Sequence, residues 1–311
     1  MSEIENRAET TPRRTKKRAP RKNARPNSGA KPAVAPPPMR PRRRIIAVTS
    51  GKGGVGKTNI VTNLAIALAR QGLRPLVVDG DLGLANVDLL LGIAPQYDMQ
   101  DVILGQRSVA DVVLEGPDGI RILPASSGVE ELANLDEYRT EVLIRSLAEL
   151  ESDVDVILID CPSGIGRGAV SLAQVADPIL VVTTPEPTAF SDAYAMIKVL
   201  SRRSLRSVPV LIVNEADSEE EAASVAKRVR QVAKRFLNLD IEYWGAILAD
   251  ESVPKSVLRQ EPFLSTYPYS PAASCIYALA RRVLGMSPAD PASSPNGSFT
   301  LVPRDEVPEE V

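Results

Sequence analysis

Residues 51–58 read Gly-Lys-Gly-Gly-Val-Gly-Lys-Thr, and this octapeptide restricts the fold more than any other segment of the chain. Gly51, Gly56, Lys57 and Thr58 satisfy the pattern G-x-x-x-x-G-K-[ST], in which a glycine-rich turn connects a strand to a helix. In such a turn the backbone N–H groups of Gly51, Lys52, Gly53, Gly54, Val55 and Gly56 encircle phosphates at the helix N-terminus. Lys57 then neutralises phosphate charge, and the Thr58 hydroxyl is a ligand for Mg²⁺. The flanks agree with the motif. Arg44-Ile45-Ile46-Ala47-Val48-Thr49 is a short apolar run suited to a buried strand. Ile60, Val61, Leu64, Ala67 and Leu68 recur at helical spacing, and Gly72 is a stop signal. Lys52 is one lysine more than the loop requires. From the start of the loop its ammonium is expected to point away from its own nucleotide, toward a phosphate on a second subunit.

The strand–loop–helix unit continues as an alternation along the chain. Strands are expected at 75–79, 120–123, 154–159, 178–183, 208–213 and 245–248, several of them unbroken apolar runs, as strands covered on both faces are. Helices are expected near 57–71, 137–150, 188–203, 218–236, 252–259 and 272–284. This order predicts an α/β fold: a doubly wound, mostly parallel sheet of the P-loop NTPase type, with ligands at the carboxyl ends of the strands.

Composition removes several chemistries. The 311 residues include no histidine, which excludes histidine general bases and histidine metal sites, so carboxylates must do any catalytic work. Cys161 and Cys275 stand alone and far apart, which argues against a zinc ribbon and for a reducing compartment. The net charge of −2 conceals an asymmetry: residues 1–44 hold 14 Lys/Arg against 3 Asp/Glu, leaving 23 against 36 for the remainder. Three parts are expected on this basis: a disordered Pro/Arg-rich basic arm over 1–43, a folded P-loop domain over 44–286, and a disordered Pro/Ser-rich tail over 287–311.

Two later segments place carboxylates at strand ends. In Val77-Val78-Asp79-Gly80-Asp81-Leu82-Gly83-Leu84-Ala85-Asn86 the strand stops at Asp79, and Asp81 and Asn86 stand in the loop beside the terminal phosphate. In Val156-Ile157-Leu158-Ile159-Asp160-Cys161-Pro162-Ser163-Gly164 an apolar strand ends in Asp160, the usual form of a second Mg²⁺-binding element, here acting through water. An Asp at a strand end is commonly a turn residue. Two of them downstream of a phosphate loop favour the catalytic reading.

Lys52, the spacing Asp79-x-Asp81-x-Gly83-x-x-Asn86 and the Asp160 segment resemble the MinD/ParA family of deviant Walker A ATPases. Asn59 directly after Thr58, the run Asp81 to Asp88, Thr184-Pro185-Glu186-Pro187-Thr188, Asp192-Ala193-Tyr194, Asn214 after a strand and Gln260-x-Pro262-Phe263 resemble its FlhG branch, also called FleN or YlxH. The similarity spans residues 44–285. It implies ATP and Mg²⁺ as cofactors, a homodimer formed with ATP, slow hydrolysis, and control of the number or placement of a cellular structure, flagella first. Lys52 then corresponds to the signature lysine that crosses to the partner's phosphates, and Asp81 to the residue that orients the attacking water. Asp79 and Lys57 serve the same phosphate end. Asn59 and Asn214 join the nucleotide set, Asn214 at the adenine edge. Glu186 and Asp192 fall near the dimer interface, and Asp192 is expected to pair with Lys52 when no γ-phosphate is bound.

The resemblance also implies a regulatory partner, either a GTPase like FlhF or a flagellar regulator. Residues 1–44 lack the short helix with which FlhG proteins stimulate FlhF. The arm there suits nonspecific DNA or another acidic surface, without base stacking because it has no aromatic residue. Membrane insertion through the last helix is the disfavoured reading, because its apolar stripe suits docking on the sheet. The alternative function is a ParA-like positioner that works on the nucleoid. An iron–sulfur carrier needs paired cysteines, and a bacterial tyrosine kinase a terminal tyrosine cluster; this chain has neither.

Overall fold

The computed structural model describes residues 44–81, 86–125, 137–150, 153–203, 205 and 208–285. The expectations for the basic arm, the tail and the loop residues 82–85 lie outside the described residues. The strands are β1 (Arg44–Ser50), β2 (Pro75–Asp79), β3 (Leu114–Glu115), β4 (Arg121–Leu123), β5 (Val156–Ser163), β6 (Ile179–Thr183), β7 (Val210–Ala216) and β8 (Tyr243–Leu248). They form one sheet in the order β3-β4-β2-β5-β1-β6-β7-β8. Every pairing is parallel except β3 with β4. The helices are α1 (Lys57–Ala69), α2 (Val87–Leu91), α3 (Met99–Ile103), α4 (Val109–Val112), α5 (Glu137–Ala148), α6 (Arg167–Gln174), α7 (Pro187–Ser201), α8 (Glu219–Leu237), α9 (Ser252–Arg259), α10 (Phe263–Thr266) and α11 (Pro271–Val283).

Helices cover both faces of the sheet, so its central strands need apolar side chains in both directions. Ala47, Leu76, Val78, Ile157, Ile159, Val181 and Leu211 join one core with residues of α3 to α8. Their neighbours Ile46, Val48, Val77, Leu158, Val182 and Ile212 join a second core with α1, α10 and α11. The two-residue alternation of a strand thus divides one unbroken apolar run between two cores. Each such Val, Leu or Ile side chain, moved fully out of water, contributes about 1.5–3 kcal/mol.

Helix α1 is apolar on nearly all sides: Ile60, Val61, Leu64, Ala65, Ile66, Ala67 and Leu68 are all buried. A helix of this kind must be enclosed, and α11 closes over it. Ala272, Ala273, Ile276, Leu279, Ala280 and Val283 of α11 are buried in the same core. The apolar stripe of the last helix is therefore occupied by the folded domain. Among the described residues no helix is long and apolar enough to cross a membrane.

β1 leads directly into the glycine loop, and the neighbouring backbone sets what can stand there. A β-carbon on Gly51 would lie 2.0 Å from the carbonyl oxygen of Asp192 in α7. Gly51→Ala therefore forces α7 away from the loop. Such overpacking costs about 1–3 kcal/mol and should lower the thermal midpoint by roughly 2–10 °C, measured by differential scanning calorimetry.

Candidate active site

At the carboxyl ends of the central strands a cleft of about 480 Å³ opens over the glycine loop. Its floor is Gly54, Gly56, Lys57, Thr58 and Asn59. Helix α1 starts there with Gly56 in the left-handed region (φ 85°), with no side-chain cap and no acidic residue in its first turn. The first N–H groups of a 13-residue helix are thus left to an external acceptor, and the helix dipole favours an anion at that point.

The loop is braced from behind. Asn214, at the end of β7 and 7% exposed, donates its side-chain N–H to the Val55 carbonyl at 2.9 Å. Its amide also stands where a β-carbon on Gly56 would be, 2.3 Å away. The expectation for Asn214 was the adenine edge; in this structure its amide nitrogen holds the phosphate loop. Val55 is buried, so the loop is anchored by a side chain at its centre as well.

Three carboxylates follow, in three different situations. Asp160, at the end of β5, accepts from the Thr58 hydroxyl through Oδ2 at 2.5 Å. Its Oδ1 is buried and meets no hydrogen-bond partner among the described residues. Burial pushes the Asp160 carboxyl up, while the Thr58 hydroxyl and the Lys57 ammonium work against that shift. A buried carboxylate with a vacant oxygen beside a hydroxyl is a hard oxygen donor set, and it fits Mg²⁺. Lys57 is 8% exposed and donates to Ser163 Oγ at 2.7 Å. The β1–β5 register, which pairs Ser50 with Ser163, brings that hydroxyl over the loop. Ser163 was not singled out from the sequence, although its place at the end of the Asp160 strand was the available signal.

Asp81 and Asn86 line the cleft opposite the loop. Asp79, expected close to the same phosphate end, is not part of that lining. Asp79 is fully buried, and its oxygens accept the backbone N–H groups of Asp81 (3.1 Å), Asn86 (2.9 Å) and Val87 (3.0 Å). Burial raises its pKa first and the Asp160 carboxylate second, against those three bonds. Asp79 is a positioning residue that ties the two ends of the loop bearing Asp81 and starts α2.

Lys52 turns away from the cleft. Its ammonium is hydrogen-bonded to Glu186, the residue preceding α7, and lies 3.3 Å from Thr188 Oγ1. This corrects the expected pairing with Asp192, which meets the loop through its backbone at Gly51. Glu186 likewise stands outside the cleft lining, and Gly53 faces Ser163. At the other side of the mouth stand Glu215, Val257 and Gln260, with Leu89 and Leu90 of α2. The Gln260 amide donates to the Leu89 carbonyl at 2.9 Å and so joins α9 to α2.

With this geometry in view, the ParA family model, described as NUBPL iron-transfer P-loop NTPase, matches residues 42–284. The chain belongs to the MinD/ParA family of P-loop ATPases. Within that family it is 41% identical over 240 residues to the antiactivator FleN of Pseudomonas aeruginosa, covering 77% of this chain and 86% of that protein. It is 34% identical over 224 residues to the flagellum site-determining protein YlxH of Helicobacter pylori, covering 71% of this chain and 74% of that protein. These two place the ATPase with the FlhG branch. Its fold matches the septum site-determining protein MinD of Pyrococcus horikoshii, solved with Mg-ADP. There the TM-score is 0.66 and the identity 29%, over 78% of this chain and 96% of that one.

The buried Asp79 gives the first test of the site. Asp79→Ala would leave three backbone N–H groups without their acceptor, that of Val87 buried and the other two half-buried, and should cost about 1–3 kcal/mol in urea unfolding. Asp79→Asn, which keeps one oxygen, should lose less.

Proposed function

We propose that this ATPase is a two-state switch: it dimerises with ATP, hydrolyses it slowly, and thereby regulates the number or placement of a cellular structure, flagella being the reading its relatives favour. The observation that carries this is the division of labour between the two loop lysines. Lys57 is turned into its own cleft beside Ser163, and Lys52 is turned out of it toward Glu186. A lysine that contributes nothing to its own phosphate site is available to another. The Lys52–Glu186 pair is about 39% and 62% exposed, and ion pairs of that kind are worth about 0–1 kcal/mol. Lys52 is therefore released at little cost when a partner's phosphates approach. A cation supplied from a second subunit contributes about 10³–10⁵ in rate to phosphoryl transfer.

In this reading the N–H groups of residues 51–58 and the Lys57 ammonium hold the phosphates of ATP. Thr58 and Asp160 would hold Mg²⁺, which when bound would supply neutralisation of the phosphate charge. Asp81, presented by the loop that Asp79 ties down, orients a water molecule for attack on the terminal phosphorus: the water oxygen bonds to phosphorus as the P–O bond to ADP breaks, and the water's protons leave with inorganic phosphate and to solvent. Turnover is slow in the monomer because Lys52 is absent from the cleft. The basic arm is assigned to a nonspecific acidic surface such as DNA, and a regulatory protein is assigned to read the dimer.

FleN and YlxH support the flagellar role over a ParA-like partitioning role. The iron-transfer description attached to the family model finds no support in the cysteines. Cys161 is buried in one core and Cys275 packs against the other, on opposite faces of the sheet.

Size-exclusion chromatography with light scattering tests the switch. Asp81→Ala should form a dimer with ATP and remain a monomer with ADP, and adding Lys52→Ala should abolish that dimer. A monomer under both nucleotides would overturn the proposal. In cells, Lys52→Ala should change the flagellar count per cell; unchanged flagella with mispositioned cargo would support the partitioning role instead.

A further inference from the structure

The cleft has a direction. Its cation and terminal-phosphate groups, Asp160 and Asp81, belong to the ends of β5 and β2, on one side of the glycine loop. In the sheet order β5-β1-β6-β7 the opposite side is the end of β7. Three strand spacings separate β5 from β7, about 14 Å at the usual spacing. A nucleotide whose terminal phosphate lies at Asp81 and whose inner phosphates cross Gly56 therefore extends its nucleoside toward β7. The residue waiting there is Glu215.

Glu215 is one of four non-glycine residues with positive φ among the described residues, at 58°. Backbone of this kind persists when its surroundings over-determine it, and such residues gather at functional sites. Here Asn214 before it is fastened to Val55, and Ala216 after it is fully buried in the core. The turn throws the Glu215 side chain out of the sheet and over the loop, with Oε1 4.0 Å from where a β-carbon on Gly56 would stand. The carboxylate lines the cleft, and no hydrogen bond to it occurs among the described residues. The walls around it, and next the Glu186 carboxylate, push its pKa up, so the ionised group is short of donors.

We propose that Glu215 reads the ribose of the bound nucleotide, its carboxylate accepting hydrogen bonds from the vicinal 2′- and 3′-hydroxyls. A carboxylate beside a phosphate site is repelled by the phosphates, so a role there requires neutral donors. A vicinal diol offers two, spaced for the two oxygens of one carboxylate, and the acidic residue of dinucleotide-binding folds takes a ribose 2′-hydroxyl in the same way. The inference rests on the reading of the cleft as an ATP site and adds to it a residue that selects ribonucleotides.

Isothermal titration calorimetry of the full chain with ADP, 2′-deoxyADP, 3′-deoxyADP and purine riboside diphosphate, which lacks the 6-amino group, tests it. The wild-type chain should prefer ADP to either deoxy form by roughly 10- to 100-fold, the range for hydrogen bonds to a charged group. Glu215→Ala should reduce that ratio to about one by weakening ADP more than either deoxy form, each of which keeps one hydroxyl on the carboxylate in the wild type. Glu215→Gly, which also relieves the left-handed backbone, should give the same ratio with a raised melting temperature; this separates lost recognition from misfolding. An unchanged ratio in both variants would overturn the proposal. So would a lost preference for ADP over purine riboside diphosphate with the ribose ratio intact, since Glu215 would then read the base. Failure of the wild-type chain to bind ADP at all would remove the ATP-site reading and this inference with it.

Discussion

Gly51 lies with its α-carbon against the Asp192 carbonyl, and Gly56 with its own against the Asn214 amide. Between these two contacts the chain turns its N–H groups toward one point, at the N-terminus of a helix that offers no cap of its own. A backbone held in this way is an anion site before any side chain is considered. The remainder of the domain serves that arrangement. The sheet fixes β1, α7 and β7 in the places from which they press on the loop, and the two cores fix the sheet.

The acidic residues near the loop differ in role because they differ in access. Asp160 is buried but keeps one oxygen vacant beside Thr58, which suits a cation. Asp79 is equally buried and has both oxygens engaged by backbone N–H groups, which suits a tether. Asp81 stands on the cleft wall, within reach of whatever binds. Glu186 and Glu215 occupy the opposite side, where the first takes Lys52 and the second lies over the loop. A loop bearing two lysines and no histidine nearby thus receives its acid–base and cation chemistry wholly from carboxylates and hydroxyls.

Much of this was legible from the residues. The strand before the loop, the helix after it and the strand ending at Asp79 are as expected, because unbroken apolar runs and helical spacing are strong signals when burial is two-sided. The other long helices were anticipated to within a few residues. The short helices α2, α3, α4 and α10 were not, since four or five residues hold too few turns for a period to emerge; α6 was missed as well, although α9, of the same eight residues, was found. β3, two residues long and antiparallel, left no pattern at all.

The chain's sequence alone determined that a strand must enter a glycine loop, that a buried helix must leave it, and that carboxylates stand at the ends of two further strands. These follow from local pattern, because glycine, apolar periodicity and chain order each act over a few residues. Only the tertiary structure decided which carboxylate meets which group. Lys52 takes Glu186 rather than Asp192, Asn214 braces Val55, Asp79 closes a loop, and Ser163 meets Lys57. Each of those pairings spans strands or helices that are not neighbours in sequence, except the tether at Asp79. Their geometry is set by strand order and register, quantities that arise when the whole sheet assembles and that no single segment contains.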